Sequence, residues 1–228
     1  MSVKASKLKE PEVPQRTKLY EIRETRKIIV KEPLQEDGSR DEVVLEYCVE
    51  NGCVGYFANE YRPDNVAKTG AKLIDITAVL VDNGRKCIRW HLYDIKSTLA
   101  GGKTVEKVYN QWNFGLQYLQ QNILEQVPAY SVVPDLGVIT RCYDEKRMER
   151  LRDDCQKNCG EIETFRQGMA LAQRKKRVNI AKYRGRLKAA QAILDRRFEA
   201  ENGTDTYEIH IRKLIPADGQ VYKMEFPV

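Results

Sequence analysis

Two aspartates and a lysine in the stretch Leu73 to Lys96, LIDITAVLVDNGRKCIRWHLYDIK, have the types and spacing to do chemistry: Asp75, Asp94 and Lys96. Carboxylates and backbone carbonyls are hard oxygen ligands suited to Mg²⁺ or Mn²⁺. Asp75, Asp94 and the carbonyl of Ile95 would hold such an ion and leave room for water and a phosphate oxygen. The ion would lower the pKa of its water and neutralise charge on the phosphoryl group, and Lys96 would orient the water or stabilise the oxyanion. This is the chemistry of phosphodiester hydrolysis without a covalent protein intermediate.

Positioning these groups requires a sheet. Side chains alternate along a strand, so Leu73, Asp75, Thr77 and Val79 share one face and Ile74, Ile76, Ala78 and Leu80 the other. Asp82-Asn83-Gly84 is a tight-turn signal. In the returning strand Trp90, Leu92, Asp94 and Lys96 point one way, and His91, Tyr93 and Ile95 the other. The two acids and the lysine therefore converge on one side.

The remaining chain fits a globular protein of 228 residues, 42% hydrophobic, with no apolar run of membrane-spanning length and a polar, proline-containing beginning, so a cytoplasmic location is expected. Six cysteines form no CxxC pair and lack the density of a disulfide scaffold. With two histidines, zinc fingers and Ser-His-Asp hydrolysis lack ligands or triads. Residues 1–40 read as a basic arm and short strands, with 19–33 an extra hairpin or edge strand. In DEVVLEYCVENG, Val44, Leu45, Cys48 and Val49 recur at helical spacing, so a helix carrying Glu42 and Glu46 is expected, followed by a strand in CVGYFANEYRP. Lys103 to Leu124 is an amphipathic helix, and Gly101 to Thr104 is its start rather than a phosphate loop. SVVPDLGVITRCY reads as a strand or two interrupted at Pro134. Residues 144–203 are helix-forming, with two out-of-phase apolar seams meeting near Gln173 to Asn179, and 204–228 read as a terminal β-hairpin.

The order helix, strand, hairpin bearing Asp and D-x-K, helix, strand over residues 41–143 resembles the PD-(D/E)xK nuclease superfamily. The resemblance implies an α/β, restriction-endonuclease-like mixed sheet flanked by helices, here with a long basic helical C-terminal extension. It implies metal-binding and catalytic roles for Asp75 and, 19 positions on, Asp94 with Lys96 in YDIKST. The family's further acid on the preceding helix is assigned to Glu46, with Glu42 and Glu50 as alternatives. The glutamine and tyrosine of the RecB-like branch correspond to Gln111 and Tyr118 in NQWNFGLQY, at looser spacing than usual, and no proline precedes Asp75.

Each piece also has a plainer reading. A lone D-x-K is commonly a solvated strand, Glu46 a surface acid, Gln111 and Tyr118 the rim of a buried helix. His91, opposite Asp94, reads as a packed strand histidine and His210 as a residue of a surface hairpin. Substrate is argued from charge: the chain's +6 is concentrated in Arg174, Lys175, Lys176, Arg177, Lys182, Arg184, Arg186 and Lys188, a run with no acid. A solvated coiled-coil face is its plain alternative. The expected function is a metal-dependent nuclease, DNA favoured over RNA through the resemblance, acting in phage defence or mobile-element processing. A homodimer through the helical seams and a protein partner that gates activity fit such an enzyme, and a membrane does not. The alternatives are a non-catalytic nucleic-acid-binding or inhibitor protein on the same fold, and a structural coiled-coil partner.

Overall fold

The chain alternates strands with helices, and its central strands are rich in apolar residues on both faces. The computed structural model describes residues 20–31, 42–50, 52–59, 74–119, 129–168, 180–200, 205–213 and 221–224. In chain order these form β1 (Tyr20–Ile22), β2 (Arg26–Lys31), β3 (Glu42–Tyr47), β4 (Cys53–Asn59), β5 (Ile76–Asp82), β6 (Cys87–Thr98), α1 (Gly102–Leu119), β7 (Ser131–Cys142), α2 (Glu145–Gly168), α3 (Ile180–Asp195), β8 (Arg197–Glu199), β9 (Thr206–Lys213) and β10 (Val221–Met224). The fold is α/β. A mixed seven-stranded sheet runs β1-β4-β5-β6-β7-β9-β8, and a three-stranded sheet runs β10-β3-β2.

From β1 to β6 neighbouring strands of the main sheet are antiparallel, whereas β6, β7 and β9 are parallel and β8 closes the edge antiparallel to β9. The β5–β6 connection spans Asn83 to Lys86. Asp82 Oδ1 accepts from the Arg85 N–H at 2.9 Å, and the left-handed position falls on Lys86 at φ 52° rather than on Gly84. Parallel strands need a crossover, and α1 supplies it between β6 and β7.

Alternation sorts the strands' side chains into two cores. Trp90, Leu92, Leu136, Val138 and Ile209 face the helices, meeting Val105, Val108 and Trp112 of α1, Ala189, Ala190 and Ile193 of α3, and Phe198. On the other face Ile76, Ala78, Leu80, Tyr93, Ile95 and Ile139 meet Leu45 and Tyr47 of β3. The Tyr47 hydroxyl donates to the Val79 carbonyl and accepts from the Tyr56 N–H at 3.2 Å, tying the small sheet to the large one. Gly55 is required beneath it, because a Cβ there would overlap the Tyr47 ring. The molecule is thus layered as small sheet, main sheet, helices.

Three expectations change. Residues 42–47 are a strand, not a helix, because β2 and β10 flank them and give their backbone a ladder on both sides. The terminal hairpin expected over 204–228 is replaced by two strands that do not pair with each other: β9 joins the main sheet beside β7 and β10 joins the small sheet beside β3. Pro134 does not interrupt β7. Pairing with β9 begins only at Leu136, so an open edge is available where proline's missing N–H carries no cost. In the helix-forming stretch two helices stand, α3 packing into the main core with α2 against it. Residues 173–179, where the seams meet, lie outside the described residues. None of the six cysteines is in a disulfide, and no helix among the described residues is long and apolar enough to cross a membrane.

Candidate active site

The β5–β6 register pairs Ile76 with Tyr93, so one further step sets Asp75, the residue before β5, beside Asp94. The Asp75 carboxylate accepts from the Ile95 N–H at 2.9 Å. Lys96 reaches back over the same strand end: its Nζ lies 3.1 Å from Asp75 Oδ2 and 2.7 Å from Asp94 Oδ2, and donates to the Ile95 carbonyl at 2.8 Å. Asp75, Asp94, the Ile95 carbonyl and Lys96 are therefore brought together as expected from alternation. Asp94 is 0% exposed, and its Oδ2 is paired with the Lys96 ammonium.

The electrostatics follow from this crowding. Burial raises the Asp94 pKa well above the usual carboxylate range, and the adjacent Asp75 raises it further against the opposing Lys96. Burial also acts to raise Asp75, but a hydrogen bond with Asp94, the Lys96 charge and the Ile95 N–H outweigh it and leave its pKa low. For Lys96, burial acts to lower the pKa, and the two carboxylates override it and hold it above its ordinary value. Two carboxyl groups share one ammonium in a largely dry place, and Asp94 holds its proton more tightly as a result.

The two adjacent carboxyl groups and the Ile95 carbonyl are hard oxygen donors of the kind a divalent cation takes. Among the described residues no group of three or more His, Cys, Asp or Glu side chains could hold a metal. The ligands would be Asp75, Asp94 and the Ile95 carbonyl, with water completing the shell, a sparse set of the kind Mg²⁺ accepts.

Gln111 is carried to the same level by α1. A Cβ at Gly115 would lie 3.0 Å from Leu92 Cδ1, which fixes the height of the helix against β6. The crossover makes α1 run against β6. Four residues back along the helix, about 6 Å, therefore matches two residues forward along the strand, about 6.6 Å, and sets Gln111 opposite Asp94. Gln111 is buried, and neither Nε2 nor Oε1 has a hydrogen-bond partner among the described residues. Thr77, on the Asp75 face of β5, adds a third buried polar group without a partner there. Tyr118 lies two helical turns, about 10 Å, further from Asp94, and its side chain is outside the described residues.

Glu46 does not join this site. On β3 its neighbours Leu45 and Tyr47 turn into the core on the far face of the main sheet, so Glu46 sits in the small-sheet layer, across the main sheet from Asp94. Glu42 lies on the same strand, and Glu50, exposed, follows it.

In the basic run, Arg174, Lys175, Lys176 and Arg177 fall outside the described residues. The others lie on α3, where acids absent from the run arrive from neighbouring helices: Arg184 pairs with Glu163 of α2, and Arg186 Nε with Glu106 of α1 at 3.1 Å. Lys182 and Lys188 are exposed, lying 5.7 and 5.6 Å from the ring centres of Tyr183 and Tyr109.

A second polar cluster escaped sequence reasoning. Asp135, on the small-sheet face of β7, is buried and faces four groups: His91 Nδ1 at 2.6 Å, the Tyr93 hydroxyl at 3.1 Å, His210 Nε2 at 3.4 Å and Arg89 Nη1 at 3.7 Å. His91 is the packed, hydrogen-bonded histidine expected, but His210 stands within the main sheet rather than on a hairpin. Burial lowers the His91 pKa; Asp135 opposes this, and the charges of Arg89 and Arg212 add to it. Asp135 is held low despite its burial, chiefly by the His91 hydrogen bond. The one local clue was an acid amid the apolar residues of SVVPDLGVIT.

Comparison of the chain with protein-family models, curated proteins and solved structures gives no match.

Proposed function

We propose that the protein is a metal-dependent nuclease of the PD-(D/E)xK kind, with DNA favoured over RNA. The observation that carries this is the convergence of Asp75, Asp94 and Lys96 at one strand end, with the Ile95 carbonyl among them. The element order adds support: the antiparallel run β4-β5-β6, the helix α1 and the parallel strand β7 follow one another as in a restriction-endonuclease-like core, without the helix that would precede them. A bound Mg²⁺ or Mn²⁺ would acidify water and neutralise phosphoryl charge. Asp75 and Asp94 would hold it. Lys96, kept protonated by both carboxylates, acts as an electrostatic stabiliser of a phosphate oxygen rather than as a base. The Gln111 amide offers one donor and one acceptor at the level of Asp94, enough to orient water or a phosphate oxygen. Lys182 and Lys188 give the substrate backbone a cationic approach on α3. Defence against foreign or mobile DNA in the cytoplasm suits such an enzyme, with a gating partner or a second copy supplying control.

A non-catalytic nucleic-acid-binding or inhibitor protein is the second reading. It is favoured by the Lys96 bridge, which already binds both carboxylates, and by the position of Glu46 on the far side of the sheet. Plasmid, single-stranded DNA and RNA should be incubated with wild type, Asp94→Ala and Lys96→Ala in Mg²⁺, Mn²⁺ or EDTA. Metal-dependent cutting lost in both variants is the expected result. Binding without cutting in either metal would leave the second reading.

A further inference from the structure

The face of the main sheet turned away from the helices carries a set of groups that the proposed hydrolysis does not use. β6, β7 and β9 are in parallel register there, setting Tyr93, Gly137 and His210 side by side. Asp135 organises the groups around it. The short contact to His91 Nδ1 makes that nitrogen the donor to the carboxylate, which leaves Nε2 with a lone pair. His91 is 1% exposed, yet Nε2 has no hydrogen-bond partner among the described residues. The same is true of Arg89 Nε and of Arg212 Nε, whose guanidinium lies 5.7 Å from the Tyr93 ring centre. A cluster built only to staple three strands would pair these atoms with one another. Instead, the His91 acceptor and one N–H donor on Arg89, beside Asp135, and one on Arg212, whose guanidinium hydrogen-bonds the Tyr93 hydroxyl, remain unused.

We propose that Arg89, His91, His210 and Arg212 form a second binding site that takes the phosphate group of a small molecule. The two guanidinium groups, from β6 and β9, donate to phosphate oxygens. His91 Nε2 accepts the O–H of the monoprotonated phosphate. A carboxylate ligand has oxygens for the donors but no hydroxyl for His91, so it fits less well. His210, with 40% of its side chain exposed, stands at the rim, and Arg89, at 19%, stands deeper. Asp135 is the positioning residue, fixing the imidazole so that Nε2 stays free. The site lies across the sheet from Asp94 and does not rest on the nuclease reading.

The test is calorimetric titration of the full chain, in EDTA, with inorganic phosphate, adenosine 5′-monophosphate, adenosine and acetate. Saturable one-to-one binding is expected for inorganic phosphate, the nucleotide or both, the two arms separating free phosphate from a phosphomonoester as the source. Adenosine should not bind, and acetate should bind at least about tenfold more weakly. Arg212→Gln and, separately, the rim change His210→Gln should each weaken binding by about tenfold, with circular dichroism unchanged. Lys96→Ala and the double change Lys182→Gln/Lys188→Gln should leave it unaltered. Absence of saturable binding, equal binding of acetate or of adenosine, survival of full affinity in Arg89→Gln and Arg212→Gln, or loss in Lys96→Ala would each overturn the assignment.

Discussion

A carboxylate as dry as that of Asp94 costs stability when ionised, because burial and Asp75 both disfavour its charge. Asparagine at this position keeps the shape, removes the charge and can donate to Asp75. Asp94→Asn should therefore be more stable than wild type by about 1 kcal/mol, as is usual where a functional site is held at the expense of stability. Lys96→Ala should do the reverse, leaving two buried carboxylates uncompensated at a cost of about 3 kcal/mol. Urea unfolding in EDTA measures both, and a destabilised Asp94→Asn would count against a strained site. His91 gives a pH signature of known sign. Its folded pKa lies below the ordinary 6.5, so on acidification the unfolded chain takes up a proton that the native imidazole refuses. Stability is fully present above pH 6.5 and is lost as pH falls toward the folded value. Melting curves between about pH 7.5 and 5.5 should fall more steeply for wild type than for His91→Gln. Equal slopes would mean that His91 is protonated in the folded protein.

Strands β6 and β7 meet most closely where the Tyr93 ring lies against Gly137, and a Cβ at Gly137 would overlap that ring. Gly137→Ala should destabilise by about 1–3 kcal/mol, the usual result of overpacking. Combined with Tyr93→Val, it should cost clearly less than the two single changes added together, because the second removes the atoms the first collides with. Chemical denaturation of the four proteins measures the coupling; strict additivity would show that the ring moves aside freely. This contact also marks the limit of what the residues alone disclose. Asp75, Asp94 and Lys96 were legible because a two-residue period sets the face of a side chain without knowledge of its partners. Segment 42–47 was not, since Val44, Leu45, Cys48 and Val49 satisfy helical spacing while Leu45, Tyr47 and Val49 satisfy alternation equally well. What decides between them is the pairing with β2 and β10, and β10 comes from the far end of the chain. The Asp135 cluster was hidden for the same reason. Its members lie on three strands, and only the register of β6, β7 and β9 brings them together.

At the scale of the whole molecule, the +6 charge matters only where it is uncompensated. Arg184 and Arg186 are committed to Glu163 and Glu106, so they serve helix packing, whereas Lys182 and Lys188 are exposed and face no acid in these pairings. If α3 meets a nucleic-acid backbone, Lys182→Gln and Lys188→Gln should each reduce the slope of log affinity against log salt by about 1. Arg186→Gln should mainly lower stability. Fluorescence anisotropy across a salt series, paired with melting curves, separates the two groups. Equal effects of all three changes on the salt slope would remove the distinction.

The small sheet has a consequence for how the protein is made. Val44 pairs with Val221, nearly the whole chain apart, so β3 gains its second neighbour only after the last strand has left the ribosome. Until then β3 presents an open edge carrying Val44, Leu45 and Tyr47, a template for any other extended chain. Synthesis therefore passes through a window in which the β4 to β7 segment can pair while its second layer waits. The return of β10 is a closure of high sequence separation, which slows folding. A nascent chain stalled before Val221 carries that unprotected edge and is the form most exposed to aggregation and to chaperone capture.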